Sequence, residues 1–395
     1  MKGRKAEWIR ELQLQYGPVV RVSPDFVVTS DVENVKFIYG PKQIKSNFYK
    51  GYGKLAGHQF MLGVPDCSTR NPASVARKNL VHIFSQQNLL RMGEMMQDHL
   101  ANFNRWLESR SEKNEPINAY ASFRLLTLDI IANLTFGGNL HLVDQGNPNH
   151  ELIRFIDAVV SHNSTAAQIP HMDTFIDIMP IQSLKKWKQD SQGLAIYGRK
   201  ALEDWYARGG LEGTKGARDI CAKLKEHGQA HPDEAISEGH LVTILAEILL
   251  AGSDTTSTTA SYIAFELAMQ PDIQRKLRQE LIEAFPDPNE RFPIPQLLKL
   301  PYLDGICKEV LRLYPIVPGP LERHNPDPMT LDGYYIPPMT KVGIQPWTQH
   351  HDPKVFPDPW KLIPERWYNE TPEMKANFLP FSTGPRKYFP FLRSD

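Results

Sequence analysis

The chain has few cysteines, no net charge and no long hydrophobic run, and each absence excludes a class of protein. Its three cysteines, Cys67, Cys221 and Cys307, are too few and too scattered for a disulfide framework or a zinc cluster. Forty-five basic residues balance forty-five acidic ones, so no overall field would recruit nucleic acid. There is no signal peptide and no run of about 18 apolar residues, and we therefore expect the chain as written to be cytoplasmic.

What the chain does have is enough apolar sequence for one large core. Hydrophobic residues make up 41% of its 395 residues and aromatic residues 10%. No low-complexity tract or internal repeat divides it into modules. We therefore predict a single domain over residues 1–395.

Apolar residues recur at intervals of three and four over most of the chain, which is the spacing of amphipathic helices. The predicted helical segments are 4–16, 77–108, 117–136, 150–161, 192–208, 216–227, 238–270, 271–284 and 301–314. β-Branched residues around a Ser-Pro-Asp turn predict a hairpin over residues 19–29, and strands are also expected over 329–346. Beyond Pro315, frequent prolines replace helix by extended segments and turns. The predicted fold class is mainly α with a small β region.

The helix predicted around residues 241–269 contains polar residues that helix propensity does not favour. Gly252, Asp254 and Thr255 interrupt an otherwise apolar run. Glycine costs about 1 kcal/mol relative to alanine, and the Thr255 hydroxyl can bond back to the carbonyl of Ala251 and bend the helix. A bend beside an apolar cavity suits the delivery of protons to a bound ligand. The alternative is that Asp254 caps a second helix that begins at Thr255.

A charged pair stands in the helix predicted over 301–314. Glu309 and Arg312 lie one turn apart on one face of this helix. Arg366, in Pro364-Glu365-Arg366-Trp367, can share the same carboxylate if the two segments meet. The three charges would then form a buried network that holds helix to loop. The alternative is a solvated pair worth roughly a few tenths of a kcal/mol.

Two adjacent histidines, His350 and His351, could suggest a metal site. On an extended segment, however, neighbouring side chains point to opposite faces, and no third ligand has suitable spacing. We predict that this segment is structural.

Four motifs follow one another along the chain. They are Ala251-Gly252-Ser253-Asp254-Thr255-Thr256, then Glu309-x-x-Arg312, then the segment 351–359 that runs into Pro364-Glu365-Arg366-Trp367, and finally Phe381-x-x-Gly384-x-Arg386. In this order and at these distances they resemble the cytochrome P-450 family of the fungal, microsomal kind, and the resemblance covers essentially the whole chain. It implies a P-450-like helical fold, a heme cofactor, a hydrophobic small-molecule substrate and an NADPH-dependent flavoprotein reductase as partner.

The resemblance also implies a role for each matching residue. Asp254 and Thr255 match the acid and alcohol that deliver protons to dioxygen at the heme iron. Glu309, Arg312 and Arg366 match residues that hold the family's core together. Cofactor-binding roles are implied for Arg77, Gly252, Arg323, Phe381 and Arg386. The three arginines among them would pair with heme propionates, to which a bidentate guanidinium is suited.

Substrate identity is only coarsely indicated. By resemblance, three segments would line the substrate cavity: Tyr49–Val64, the face of the helix before Ala251, and Val317–Pro320. They imply an apolar small molecule.

The chain departs from the family at the heme ligand. In the pattern F-x-x-G-x-R-x-C-x-G it has Phe381, Gly384 and Arg386 in register, and then Tyr388 in place of the cysteine. A thiolate matters because it pushes electron density onto iron and favours O–O cleavage. The family also begins with a membrane anchor and continues with a C-terminal helix after the ligand loop. We expect both to be missing from this chain.

Three explanations of Tyr388 stay open. The one we favour is that residues 388–395 are translated intron or frame-shifted sequence, and that the intact form is a heme-thiolate monooxygenase of secondary metabolism in the endoplasmic reticulum membrane. A second is that Tyr388 ligates iron as a phenolate, as in catalase. A third is a catalytically inactive chain, either a heme-deficient truncated product or a heme-free binding protein.

Overall fold

The computed structural model describes residues 3–387 except residues 56, 65–71, 85, 170, 214–218 and 288–291. Within these ranges the helices are, in chain order, α1 Lys5–Tyr16, α2 Val35–Ile38, α3 Asn47–Tyr52, α4 Pro72–Ile83, α5 Gln86–Glu112, α6 Ala119–Phe136, α7 Leu142–Gln145, α8 Glu151–Ala166, α9 Met172–Ile178, α10 Gln182–Ala207, α11 Gly210–Gly213, α12 Ile220–Ala230, α13 Glu238–Met269, α14 Pro271–Ala284, α15 Ile294–Leu297, α16 Pro301–Leu313, α17 Pro346–His350 and α18 Pro372–Asn377. The strands are β1 Val19–Ser23, β2 Phe26–Thr29, β3 Ile44–Lys45, β4 Lys54–Leu55, β5 His58–Gln59, β6 Arg323–His324, β7 Met329–Leu331, β8 Tyr334–Ile336 and β9 Lys341–Ile344. The fold is mainly α with small sheets, as the sequence predicted.

The predicted helices are present, and three differences have physical reasons. The segment predicted over 77–108 is two helices, α4 and α5, and α4 begins earlier, with a proline in its first turn. α10 begins at Gln182, well before the predicted start at 192. The prediction began too late because the first turns of α10 are polar and show little apolar periodicity. α9 was not predicted, since seven residues are too short to display a helical repeat. Of the helices described, none is both long and apolar enough to cross a membrane.

The described residues fall into two compact units. Unit 1 takes those of Met1–Ser46 and Thr259–Pro390, and unit 2 takes those of Asn47–Thr258. α13 therefore contributes its first part to unit 2 and its last part to unit 1. A single domain over residues 1–395 stays a prediction.

Unit 1 contains a five-stranded mixed sheet with the order β1-β2-β9-β6-β3. β1 and β2 form the predicted antiparallel hairpin, with Val20 opposite Val28. β2 pairs in parallel with β9, so that Val28 lies opposite Gly343 from the other end of the chain. β6 pairs antiparallel with both β9 and β3. Apolar side chains of this sheet and of α2 form one core cluster. The sheet thereby fixes Arg323 at the start of β6.

Unit 2 is a set of packed helices around an apolar core. The core includes Leu128 of α6, Ile156 of α8, Leu194 of α10 and Ala246 of α13, all buried. α8 and α10 approach closely because Gly193 has no side chain, and a Cβ there would lie 2.3 Å from the ring of Phe155. This packing fixes the part of α13 that carries the Asp-Thr motif.

Candidate functional site

α13 runs without interruption from Glu238 to Met269. Asp254 therefore lies inside one helix, and the alternative that it caps a second helix beginning at Thr255 is wrong. The hydroxyl of Thr255 donates a hydrogen bond to the carbonyl of Ala251 at 2.7 Å, which is the back-bond expected from the sequence. This bond holds the Thr255 side chain against its own helix.

Gly252 has a packing role that the sequence did not indicate. A Cβ at this position would lie 2.7 Å from Cγ1 and 2.8 Å from Cδ1 of Ile131 on α6. Since Ile131 is β-branched and stiff, any larger residue would push α6 and α13 apart. The close helix contact thus explains the glycine, and a cofactor-binding role for Gly252 stays a prediction.

Asp254 forms an ion pair with an arginine that the sequence pattern did not single out. Nε of Arg124 on α6 lies 2.7 Å from the Asp254 carboxylate, and Nη1 donates to Asp157 on α8 at 3.2 Å. The Arg124 side chain is 6% exposed, whereas Asp254 is 29% and Asp157 57% exposed. Arg124 therefore bridges a half-buried acid and a surface acid. The sequence signal was a charged residue inside the apolar run of α6.

The surroundings of Asp254 alter its acidity. Burial raises the pKa of the Asp254 carboxyl above its usual value, and the positive charge of Arg124 opposes this rise. Burial also raises the pKa of the Tyr52 and Tyr120 hydroxyls, and the charge of Asp254 adds to both increases. A general acid or base works best when its pKa lies near the working pH, and the pKa of the Asp254 carboxyl is shifted in that direction.

Glu309 and Arg312 form an ion pair with both side chains 0% exposed. The Nε and Nη2 atoms of Arg312 donate to the two Glu309 oxygens at 2.7 and 2.8 Å. Further donations go to the backbone carbonyl of His350, the last residue of α17, at 2.9 Å, and to those of Pro359 and Lys361 in the loop that follows, at 2.6 and 3.0 Å. The solvated pair considered from the sequence is therefore wrong, because both charges are fully buried.

The Glu309 carboxylate has further partners. It accepts hydrogen bonds from the backbone of Ile363 at 2.9 Å and from Nε1 of Trp367 at 3.0 Å, and Nε of Arg366 lies 3.3 Å from it. The structure thus brings Glu309, Arg312 and Arg366 together and adds Trp367, which closes the same sequence motif. α16 and the loop over 359–367 are tied by one charge network.

His350 and His351 are not on an extended segment as predicted, because α17 ends at His350. Nε2 of His350 accepts a hydrogen bond from the backbone N–H of Leu379 at 2.8 Å, so its proton is on Nδ1. Nδ1 of His351 donates to the carbonyl of Trp347 at 2.8 Å, and its ring stacks on Trp360. Burial lowers the pKa of His350 to about 3 and that of His351 to about 4. Both imidazoles are therefore neutral, and His350 holds the chain that leads to Phe381.

These histidines predict a loss of stability in acid. An unfolded histidine has a pKa of about 6.5, so between that value and the folded pKa only the unfolded state takes up the proton. The free energy of unfolding should fall by about 1.4 kcal/mol per pH unit for each histidine as pH decreases through this window. His351→Phe keeps a stacking ring and removes the titration. Urea unfolding at several pH values between about 4.5 and 7 should then show a shallower pH slope than in the parent.

The exposed His171 provides the control for this experiment. His171→Asn should leave the slope as it is in the parent, because the exposed His171 side chain forms no ion pair among the described residues. If His351→Phe has the same slope as His171→Asn, buried neutral histidines do not account for the acid sensitivity.

Three predicted cofactor-binding residues, Arg323, Phe381 and Arg386, lie in unit 1. Arg323 is buried on β6, where Nη1 donates to the carbonyl of Glu322 at 2.9 Å and the guanidinium lies 5.1 Å from the Tyr39 ring. Gly384 adopts φ +75°, and a Cβ there would lie 2.2 Å from the Tyr39 carbonyl, so only glycine fits. Tyr39, which the sequence pattern did not indicate, thus contacts both Arg323 and the turn Gly384–Arg386. Phe381 is partly exposed just before that turn.

The family whose sequence profile matches the chain is the cytochrome P-450 family, and the match runs over residues 2–387. The chain belongs to this family. It is similar to the cytochrome P-450 monooxygenase BOT4 of Botryotinia fuckeliana, at 29% identity over 98% of this chain and 72% of the relative. It is also similar to the cytochrome P-450 monooxygenase orf2 of Aspergillus niger, at 26% identity over 97% and 76%, and to the benzoate 4-monooxygenase bphA of Aspergillus niger, at 26% identity over 98% and 78%. The relatives named here are all monooxygenases.

The family implies a heme cofactor, and the surroundings of Arg386 fit a heme propionate. Nε and Nη1 of Arg386 are buried and have no hydrogen-bond acceptor among the described residues. A buried guanidinium N–H without an acceptor costs free energy, whereas a carboxylate would satisfy both groups. A heme propionate suits this position. Arg77, the other predicted arginine, lies on α4 in unit 2 and is half-buried.

No described cysteine is suited to be the iron ligand. Tyr388 and Cys67 lie outside the described residues of this cytochrome P-450. Burial raises the pKa of the Cys221 thiol to about 12 and that of the Cys307 thiol to about 11. Because the thiolate is the form that ligates iron, neither described cysteine has the environment of a heme ligand.

Proposed function

We propose that this cytochrome P-450, in a form with a cysteine ligand, is a heme-thiolate monooxygenase that oxidises a hydrophobic small molecule of secondary metabolism. The observation that carries the proposal is the Asp254-Thr255 pair inside α13, with Asp254 ion-paired to Arg124 at 2.7 Å. The monooxygenase names of similar proteins support it. When bound, heme supplies the redox chemistry of oxygen insertion. Arg77, Arg323 and Arg386 would hold its propionates.

The protein's own contribution is to hold and move protons. Asp254 exchanges protons because burial raises the pKa of its carboxyl. Arg124 holds that carboxylate in place and ties it to Asp157 at the surface. The Thr255 hydroxyl, fixed by its bond to the Ala251 carbonyl, presents an oxygen one residue from Asp254. This arrangement suits general acid catalysis beside a bound substrate.

An NADPH-dependent flavoprotein reductase is the proposed electron donor, and the endoplasmic reticulum membrane is the proposed location of the family form. By resemblance, such a reductase would dock on a basic face near Lys78 and Lys387. Lys78 is exposed, but it forms an ion pair with Glu234 at 3.2 Å, which partly neutralises its charge. The docking face therefore depends on more than Lys78.

Replacing Thr255 tests the proton-delivery role. In the heme-reconstituted Tyr388→Cys form, Thr255→Ala should lower the product formed per NADPH consumed by roughly tenfold or more, because a positioned group in a proton-transfer step contributes at least that much. Consumption of NADPH should continue, since electron supply does not use this hydroxyl. The measurement is the ratio of product to NADPH with a flavoprotein reductase and a panel of apolar substrates.

Thr256→Ala is the matched control, because Thr256 is the next residue on the same helix and its side chain is exposed. It should keep the parent's ratio. A Thr255→Ala ratio equal to that of Thr256→Ala would contradict proton delivery through Thr255. If no form oxidises any substrate of the panel, the proposed function itself is wrong.

A further inference from the structure

A cavity of about 330 Å³ lies within unit 2, between the C-terminal end of α6, the start of α8 and the C-terminal half of α10. A volume of this size is at the lower end of the range for small-molecule pockets. None of the described residues that line it belongs to the Asp254-Thr255 motif, so the cavity is separate from the site described above. Its apolar wall consists of Ala132, Phe136, Leu140, Tyr197 and Ala201.

Four charged side chains also line this cavity. Lys200, Asp204 and Arg208 follow one another at intervals of four, which places them on one face at the end of α10. Glu151 lines the cavity from the first turn of α8. None of the four forms an ion pair with another described residue. His150 adds no charge, because its Nδ1 accepts a hydrogen bond from the backbone N–H of Leu152 at 3.2 Å. Two positive and two negative charges therefore stand beside the apolar wall.

The negative charges act together at the Tyr197 hydroxyl. The Tyr197 ring packs against the core of unit 2, and its hydroxyl has no hydrogen-bond partner among the described residues. Burial raises the pKa of this hydroxyl, and the charges of Glu151, Asp129 and Asp204 add to the increase. Two of these carboxylates, Glu151 and Asp204, line the cavity. A cationic N–H group at this point would meet both of them and would donate to the hydroxyl oxygen as well.

Arg208 presents the opposite charge from a fixed position. Its Nη2 donates to the backbone carbonyl of Phe136 at 2.8 Å, which ties the guanidinium to the end of α6. A Cβ on Gly138 would lie 3.5 Å from the same Nη2, so the guanidinium also packs against this backbone. Its other N–H groups have no acceptor among the described residues, and a carboxylate suits them. Lys200 adds a second positive charge two turns earlier on α10.

We propose that this cavity binds an α-amino acid zwitterion with an apolar side chain. Glu151, Asp204 and the Tyr197 hydroxyl receive its ammonium group, Arg208 and Lys200 receive its carboxylate, and the apolar wall receives its side chain. A ligand with a single charge would leave lining charges of one sign without a partner, since the two signs are balanced. The site depends neither on heme nor on the function proposed above.

Equilibrium dialysis of the full 395-residue chain with labelled L-phenylalanine tests the proposal. Binding should saturate at one molecule per chain. 3-Phenylpropionate lacks the ammonium group and 2-phenylethylamine lacks the carboxylate, so each should bind about tenfold more weakly or worse, because each loses charge-assisted hydrogen bonds. Absence of saturable binding of L-phenylalanine would overturn the proposal, and so would equal affinity for either analogue.

Two substitutions place the binding at this cavity. Asp204→Asn should lower the affinity for L-phenylalanine about tenfold and leave that for 3-phenylpropionate no weaker, because it removes a charged partner of the ammonium group only. Tyr197→Phe keeps the ring and should weaken L-phenylalanine several-fold. Glu203→Gln is the matched control, since Glu203 is the neighbouring exposed acid on α10 and is not among the lining residues. Equal affinities in Asp204→Asn and Glu203→Gln would show that the amino acid binds elsewhere and would overturn the assignment of this cavity.

Discussion

After reconstitution with heme, reduction and exposure to carbon monoxide, the 395-residue chain should show no thiolate-type absorption, and Tyr388→Cys should introduce it. Phenolate oxygen donates charge to iron differently from sulfur, and the difference spectrum reports the donor atom. Neither described cysteine has an environment that favours the thiolate, because burial raises the pKa of the Cys221 and Cys307 thiols.

The other outcomes of this experiment separate the three explanations of Tyr388. A bound heme whose phenolate-like spectrum vanishes in Tyr388→Phe would support the catalase-like alternative. Absence of stoichiometric heme in the parent together with a thiolate spectrum in Tyr388→Cys would support a heme-deficient product. A thiolate spectrum in the parent would contradict the assignment of position 388, and Cys307→Ser would be the first substitution to examine. A Tyr388→Cys protein that binds heme without the thiolate spectrum would contradict it as well.

Arg312→Met should lower the free energy of unfolding by about 3–5 kcal/mol, which is the usual effect of removing one partner from a buried ion pair. The change leaves the fully buried Glu309 carboxylate without its bidentate partner and leaves the carbonyls of His350, Pro359 and Lys361 without a donor. Methionine fills similar volume, so the loss reports charge and hydrogen bonding more than a cavity. Urea unfolding followed by tryptophan fluorescence measures it.

The matched control is Arg275→Met, because Arg275 pairs with Asp272 at the same i, i+3 spacing on α14 with a side chain that is 74% exposed. It should change stability by less than about 1 kcal/mol. The double variant Glu309→Leu with Arg312→Met should be less destabilised than the sum of the two single variants, since it leaves neither charge alone. Equal losses in Arg312→Met and Arg275→Met would show that the network does not stabilise unit 1.

The network around Glu309 shows which contacts could be predicted from residue spacing in the sequence. The three-residue interval between Glu309 and Arg312 placed both on one helix face, and the Pro364–Trp367 motif supplied Arg366 as a third member. The full burial of the pair was not readable from the sequence, because E-x-x-R occurs equally on solvated helices. Burial results from the backbone carbonyls that converge on Arg312 once the loop after α17 packs on α16.

At His350 and His351 the local structure predicted from the sequence was wrong. An extended segment was predicted at His350 and His351 because prolines surround them, yet Pro346 stands at the start of a short helix, where a missing N–H costs nothing. A proline-rich composition indicates where long helices end. It does not exclude one turn of helix, which tertiary packing stabilises.

The sequence by itself determined the mainly α class, the family and the residues whose partners lie within one or two helical turns, because hydrophobic periodicity and motif spacing are local properties. Only the tertiary structure decided that Arg124 holds Asp254 and that Tyr39 contacts Arg323. Each of these contacts joins elements far apart along the chain. Such a contact depends on which helices and strands pack together and at what distance, and no interval in the sequence encodes that choice.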